Sequence, residues 1–88
     1  MKDYTIQPSG RYKNIQGAVI SASSPLVALK QYLKANRVAY SNIVKMTTKE
    51  LGKYYDAGYE PLQVVDFVDF IVDSDTIAPS AGAMYRLE

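Results

Sequence analysis

The spacing of apolar positions along these 88 residues changes several times, and each change predicts an element. Tyr4-Thr5-Ile6-Gln7 is a short β-prone run. Pro8-Ser9-Gly10 interrupts it with turn chemistry, because proline fixes φ and glycine accepts φ > 0. Arg11 to Ala22 carries Tyr12, Ile15, Val19 and Ile20. That run predicts a second strand, paired with the first as a hairpin, with Gly17 at a bulge or a close approach.

The period then lengthens. Leu26, Leu29 and Leu33 fall at i, i+3 and i+7, one apolar stripe of a helix. Ser24 suits its N-cap and Pro25 its first position, where no N–H is needed. Lys30, Lys34 and Arg37 lie towards the C-terminal end, which the helix dipole favours, and Asn36 is a terminator. Val38 to Met46 alternates again and predicts a third strand, with Val38, Tyr40 and Val44 on one face. Thr47-Thr48-Lys49-Glu50 matches a capping box. The short helix it opens carries Leu51, Tyr54 and Tyr55 and ends at Gly58, while Gly52 weakens it by about 1 kcal/mol relative to alanine.

Residues 61–73 are rich in β-branched and aromatic side chains. Their polar positions, Gln63, Asp66, Asp69 and Asp73, nevertheless share about a third of a helical wheel. Strand alternation would send Asp66 and Asp69 to opposite faces, so the pattern predicts a helix. On that helix Phe70 lies within the acidic arc, an exposed aromatic. The expected architecture is therefore α+β in the order β-β-α-β-α-α: an antiparallel hairpin plus a third strand, packed against helices. Residues 1–77 make the single domain and 78–88 a flexible C-terminal tail.

Composition narrows the function. The apolar fraction of 48% suits a globular chain and argues against disorder. Histidine and cysteine are both absent. Zinc centres of the usual ligands, Ser-His-Asp triads and Cys-His pairs go with them. No apolar run follows Met1-Lys2-Asp3, and the apolar stretches are broken by Asp66, Asp69 and Asp73, so neither a signal peptide nor a membrane span is expected. The absence of cysteine favours a cytoplasmic location. The net charge of +1 hides a division. Residues 1–53 carry nine Lys/Arg against two acids, and residues 54–88 carry Arg86 against seven acids. Either the two parts neutralise each other within one fold, or a basic and an acidic face join copies head to tail.

Asp66, Asp69, Asp73 and Asp75 are the only dense carboxylate group. Asp73-Ser74-Asp75 starts like a calcium loop, but Ile77 and Ala78 stand where a ligand and a glycine belong. No cleft-forming residues accompany Asp66 and Asp69 for glycosidase work. Ser23-Ser24 has no base, and no glycine-rich phosphate loop occurs. No catalytic residue, metal site or cofactor is expected. Lysines interleaved with Tyr12, Tyr32, Tyr40, Tyr54 and Tyr55 leave nucleic-acid binding as a lesser possibility. The tyrosines themselves are the unusual feature: eight of them, with two phenylalanines and no tryptophan. A tyrosine buries a large ring and keeps its hydroxyl wet, as at an interface edge. Tyr54, Tyr55 and Tyr59, with Phe67 and Phe70, are the expected partner-binding residues.

The passage Val19-Ile20-Ser21-Ala22-Ser23-Ser24-Pro25-Leu26-Val27-Ala28-Leu29-Lys30 resembles strand-to-helix junctions of small phage-encoded proteins. In size, tyrosine content, charge division and lack of catalytic residues the chain resembles siphophage tail-assembly chaperones. No motif aligns, so no residue role carries over. The resemblance implies a protein of the host cytoplasm that forms homo-oligomers and shields apolar, aromatic-bearing helical segments of a tape measure protein. The sequence thus points to a non-enzymatic assembly or chaperone-type protein. An inhibitor of a host enzyme or defence complex, and a small nucleic-acid-binding module, are the alternatives.

Overall fold

The computed structural model describes residues 1–74 and 83–88. They form one α+β domain in which a five-stranded antiparallel sheet supports its helices. The strands are β1 (Lys2–Pro8), β2 (Ala18–Ala22), β3 (Ile43–Lys45), β4 (Phe70–Ser74) and β5 (Ala83–Leu87), in the spatial order β2-β1-β4-β5-β3. The helices are α1 (Pro25–Ala35), α2 (Thr48–Asp56) and the single turn α3 (Pro61–Val64), with 3₁₀ turns at Gly10–Tyr12 and Val65–Phe67.

The expected hairpin is present, since β1 and β2 pair antiparallel with Tyr4 opposite Ile20. Its second strand is shorter than the 11–22 run. Gly10–Tyr12 turns, and Tyr12 and Ile15 fold half-buried against the core instead of joining the ladder. Gly17 is a close approach: a Cβ there would stand 2.5 Å from the Ile6 carbonyl oxygen.

α1 starts as its sequence dictates. Ser24 Oγ accepts the Val27 N–H at 3.2 Å, and Pro25 occupies the first turn. It ends with Asn36 donating its side-chain N–H to the Tyr32 carbonyl, and with Arg37 at φ 56°. The N–H of Val38 reaches the Leu33 carbonyl, and that of Arg37 the Lys34 carbonyl, a Schellman closure. Ala28, Leu29, Tyr32 and Leu33 form the buried stripe, whereas Leu26 is partly exposed. They pack on the sheet face made by Tyr4, Ile6, Ala22, Phe70, Val72, Tyr85 and Leu87. Burial raises the Tyr32 and Tyr85 hydroxyls above the usual tyrosine range, and in Tyr85 nearby Tyr4 adds to the effect.

Three expectations need correction. Residues 61–73 are not one helix: α3 and a 3₁₀ turn occupy 61–67, and β4 begins at Phe70. The wheel pattern misled because Asp69 is not a solvent-facing polar position. It is 3% exposed, and its carboxylate accepts from Arg11 Nε (3.1 Å), Arg11 Nη2 (2.7 Å) and the Leu87 N–H (2.7 Å). Facing that carboxylate raises the Arg11 guanidinium above its ordinary value, chiefly through the hydrogen bond. A buried, fully bonded acid looks in sequence like a surface one. Second, the 78–88 tail is contradicted at its distal part. Ala83–Leu87 is a strand between β4 and β3, and Leu87 is buried. Residues 78–82 lie outside the described residues. Third, the strand expected over 38–46 contracts to Ile43–Lys45, because Val38 closes α1 and Ser41 and Asn42 donate to the Glu88 carbonyl.

Candidate functional site

The aromatic residues divide into two groups with different surroundings. One lies inside. Phe70 is wholly buried, stacked on Tyr12 (5.1 Å between ring centres) and met edge-on by Tyr32 (5.6 Å). The Tyr32 hydroxyl donates to the Gln16 carbonyl at 2.7 Å, and Arg11 lies over the Tyr12 ring. Phe70 therefore belongs to the core and is withdrawn from the partner-binding set. The reason is its position in β4, whose alternation turns it and Val72 towards α1.

The second group lies at the surface, and α2 builds it. Thr47 caps the helix, its Oγ accepting the Glu50 N–H at 3.2 Å and lying 3.3 Å from Glu50 Oε1. Gly58 ends it at φ 94°, a left-handed conformation that suits glycine. There the Gly58 N–H bonds the Tyr55 carbonyl and the Tyr59 N–H the Tyr54 carbonyl. This is a second Schellman motif, whose usual companion is a side-chain contact across the closure. Here the contact is between Tyr54 and Tyr59, whose ring centres are 6.1 Å apart.

α3 then folds back on α2. Gln63 Oε1 accepts the Glu60 N–H at 2.8 Å, and the following 3₁₀ turn swings Phe67 onto the pair. Phe67 stacks on Tyr54 (4.7 Å, 16° between planes) and meets Tyr59 edge-on at 5.1 Å. Tyr59 and Phe67 remain 42% and 39% exposed. Of the five residues read from sequence, the structure brings Tyr54, Tyr59 and Phe67 together. Tyr55 is exposed but makes no ring contact among the described residues.

Beside the three rings an open cleft of about 430 Å³ is lined by Met46, Glu50, Lys53, Tyr54, Ala57 and Tyr59. Sequence reasoning overlooked Met46, Glu50, Lys53 and Ala57. The signal was present: Glu50, Lys53, Tyr54 and Ala57 follow the i, i+3, i+4, i+7 spacing of one helix face. The cleft wall is aromatic and aliphatic, with one charge of each sign. Such a surface can desolvate apolar groups and fix a polar edge. Among the described residues no group of three acids stands close enough to hold a metal ion, and no helix is long and apolar enough to cross a membrane. Asp66 is exposed, Asp69 is engaged by Arg11, and Asp75 lies outside the described residues.

Comparison with protein-family models, with curated proteins and with solved structures found no match to this chain.

Proposed function

We propose that this chain is a non-enzymatic binding protein of the assembly or chaperone type. It receives an apolar, aromatic-bearing helical segment of a partner protein in the cleft along α2, beside the Tyr54–Tyr59–Phe67 cluster, and it associates with copies of itself. The observation that carries the proposal is the exposure of two ring-packed aromatics, Tyr59, which lines the cleft, and Phe67, which packs on the cleft residues Tyr54 and Tyr59. Rings already held by their neighbours lose little freedom on binding, and aromatic anchors dominate interface energetics. An amphipathic helix presents anchors at i, i+3, i+4 and i+7, and Glu50 and Lys53 can meet its polar flanks. The resemblance to siphophage tail-assembly chaperones makes a tape measure protein a fitting source of such a helix.

The test uses two labelled peptides of equal composition. One is an amphipathic helix with Leu and Phe at i, i+3, i+4 and i+7, and the other has the spacing scrambled. Fluorescence anisotropy should show saturable binding of the first alone, weakened at least about tenfold by Phe67→Ala or Tyr59→Ala. Equal affinity for both peptides, or undiminished binding by a folded Phe67→Ala protein, rejects the proposal.

A further inference from the structure

The two edges of the sheet differ in how they are guarded. β3 is only three residues long and ends in Lys45. Short length and an edge lysine are both usual defences against unwanted strand pairing. β2, Ala18-Val19-Ile20-Ser21-Ala22, has neither, nor any proline. No charged residue occurs from Asn14 to Leu29. Val19 is 62% exposed on the face away from α1, and a shallow depression of about 350 Å³ beside it is lined largely by Thr5, Gln7, Gly17 and Ala18.

Ladder parity identifies the free backbone groups of β2. The Ser9 N–H donates to the Asp69 carbonyl at 2.9 Å, continuing the β1–β4 register in which Gln7 opposes Ile71. Odd residues of β1 are therefore bonded to β4. Antiparallel strands alternate bonded and non-bonded pairs, so the even residues of β1 bond to β2. Their partners are Ala22, Ile20 and Ala18. The N–H and C=O groups of Val19 and Ser21 consequently point outward along the open edge.

We propose that β2 pairs antiparallel with β2 of a second copy of this chain, about a two-fold axis at Ile20. The proposal rests on the self-association in the function proposed above and gives it a surface. With Ile20 opposite Ile20 of the other copy, Val19 falls opposite Ser21, and Ser21 opposite Val19. These are the residues whose backbone groups point outward, so both partners meet in bonded register from one sequence. The two Val19 side chains become diagonal neighbours on the face away from α1, within reach of each other.

Charge favours a second copy. The ionised residues of the neighbouring strand, Lys2 and Asp3, lie opposite Ala22 and Ser21. Across the axis the same rows continue to Ala18 and Ile6, and to Val19 and Thr5, of the other copy, so no like charges meet along these rows. The contact is isologous and closed, and joins two five-stranded sheets into one. Met46, a wall of the cleft, directly follows β3 at the opposite edge, so the dimer carries a cleft towards each outer end.

Sedimentation equilibrium and amide hydrogen exchange on the full chain, from low micromolar to millimolar protein, test the pairing. The expected result is a monomer–dimer equilibrium that high salt does not dissociate, since the contact is uncharged. The Val19 and Ser21 amides should exchange at least about tenfold more slowly in the dimer, while Ile20, bonded within the subunit, changes little. Val19→Lys should raise the dimer dissociation constant at least about tenfold with the melting temperature of the monomer unchanged. Ser21→Pro, which removes one outward N–H, should do the same. A dimer in which Val19 and Ser21 stay fast, or which survives Val19→Lys, overturns the edge pairing and leaves self-association standing. A monomer at every concentration overturns both.

Discussion

At the scale of single residues, two aspartates that look alike in sequence have opposite circumstances. Asp69 is buried with Arg11 and the Leu87 N–H bound to its carboxylate, tying the start of β4 to the 3₁₀ turn at 10–12 and to β5. Asp73 lies on the sheet face away from α1, opposite Thr5, and its Oδ1 is buried with no hydrogen-bond partner among the described residues. Burial raises its carboxyl above the ordinary value of 3.8. The folded state then holds a proton that the unfolded chain releases more readily. Below the ordinary value both states are protonated and the group costs nothing. As pH rises through the raised value, the folded state must ionise a withdrawn carboxyl, and stability falls. Asp73→Asn should therefore stabilise the protein at neutral pH, by no more than about 1 kcal/mol because the group is only partly withdrawn from water. In a domain of this size that is several degrees in Tm. Thermal melts of both proteins from pH 7 down to pH 3 check this. The difference should shrink as pH falls, and a difference independent of pH would contradict the assignment to ionisation.

At the scale of elements, local signals were legible and long-range ones were not. The caps at Ser24 and Thr47, the stops near Asn36 and Gly58, and the close approach at Gly17 could all be read because each depends on residues nearby in sequence. The aromatic cluster was partly readable for the same reason: Tyr54 and Tyr59 meet through the helix closure itself. Phe67 and Phe70 could not be separated, because three residues apart they belong to a turn and a strand facing different surroundings. The glycines show how context decides. Gly52 lies in α2 with nothing within 4 Å of where a Cβ would stand, so only helix propensity acts there. Gly52→Ala should stabilise by about 0.5–1 kcal/mol. At Gly17 the same methyl would press on the Ile6 carbonyl, and β2 must move from β1. Gly17→Ala should destabilise by about 2 kcal/mol, within the range of overpacked sites. Urea denaturation of the two variants should give midpoints displaced in opposite directions with similar slopes. Equal displacements would mean that β2 is not held so close.

At the scale of the whole molecule, the sheet order reinterprets both the charge division and the C-terminal end. β1, β2 and β3 come from the basic part of the chain and β4 and β5 from the acidic part. The order β2-β1-β4-β5-β3 interleaves them. A division along the sequence therefore does not by itself produce a two-ended molecule, and the Arg11–Asp69 bridge joins the two parts within one fold. The same interleaving makes β5 indispensable. It pairs with β4 on one side and β3 on the other, contributes Tyr85 and Leu87 to the core, and donates the Leu87 N–H to Asp69. A mobile tail can be removed without loss of stability. Deleting residues 83–88 should instead expose Phe70, leave Asp69 short of a donor, and detach β3 from the sheet. Those losses exceed the few kcal/mol by which a domain of this size is stable. The shortened chain should lose its cooperative thermal transition and the slow amide exchange of β1 and β4. Retention of a sharp transition near that of the full chain would place 83–88 outside the folding unit.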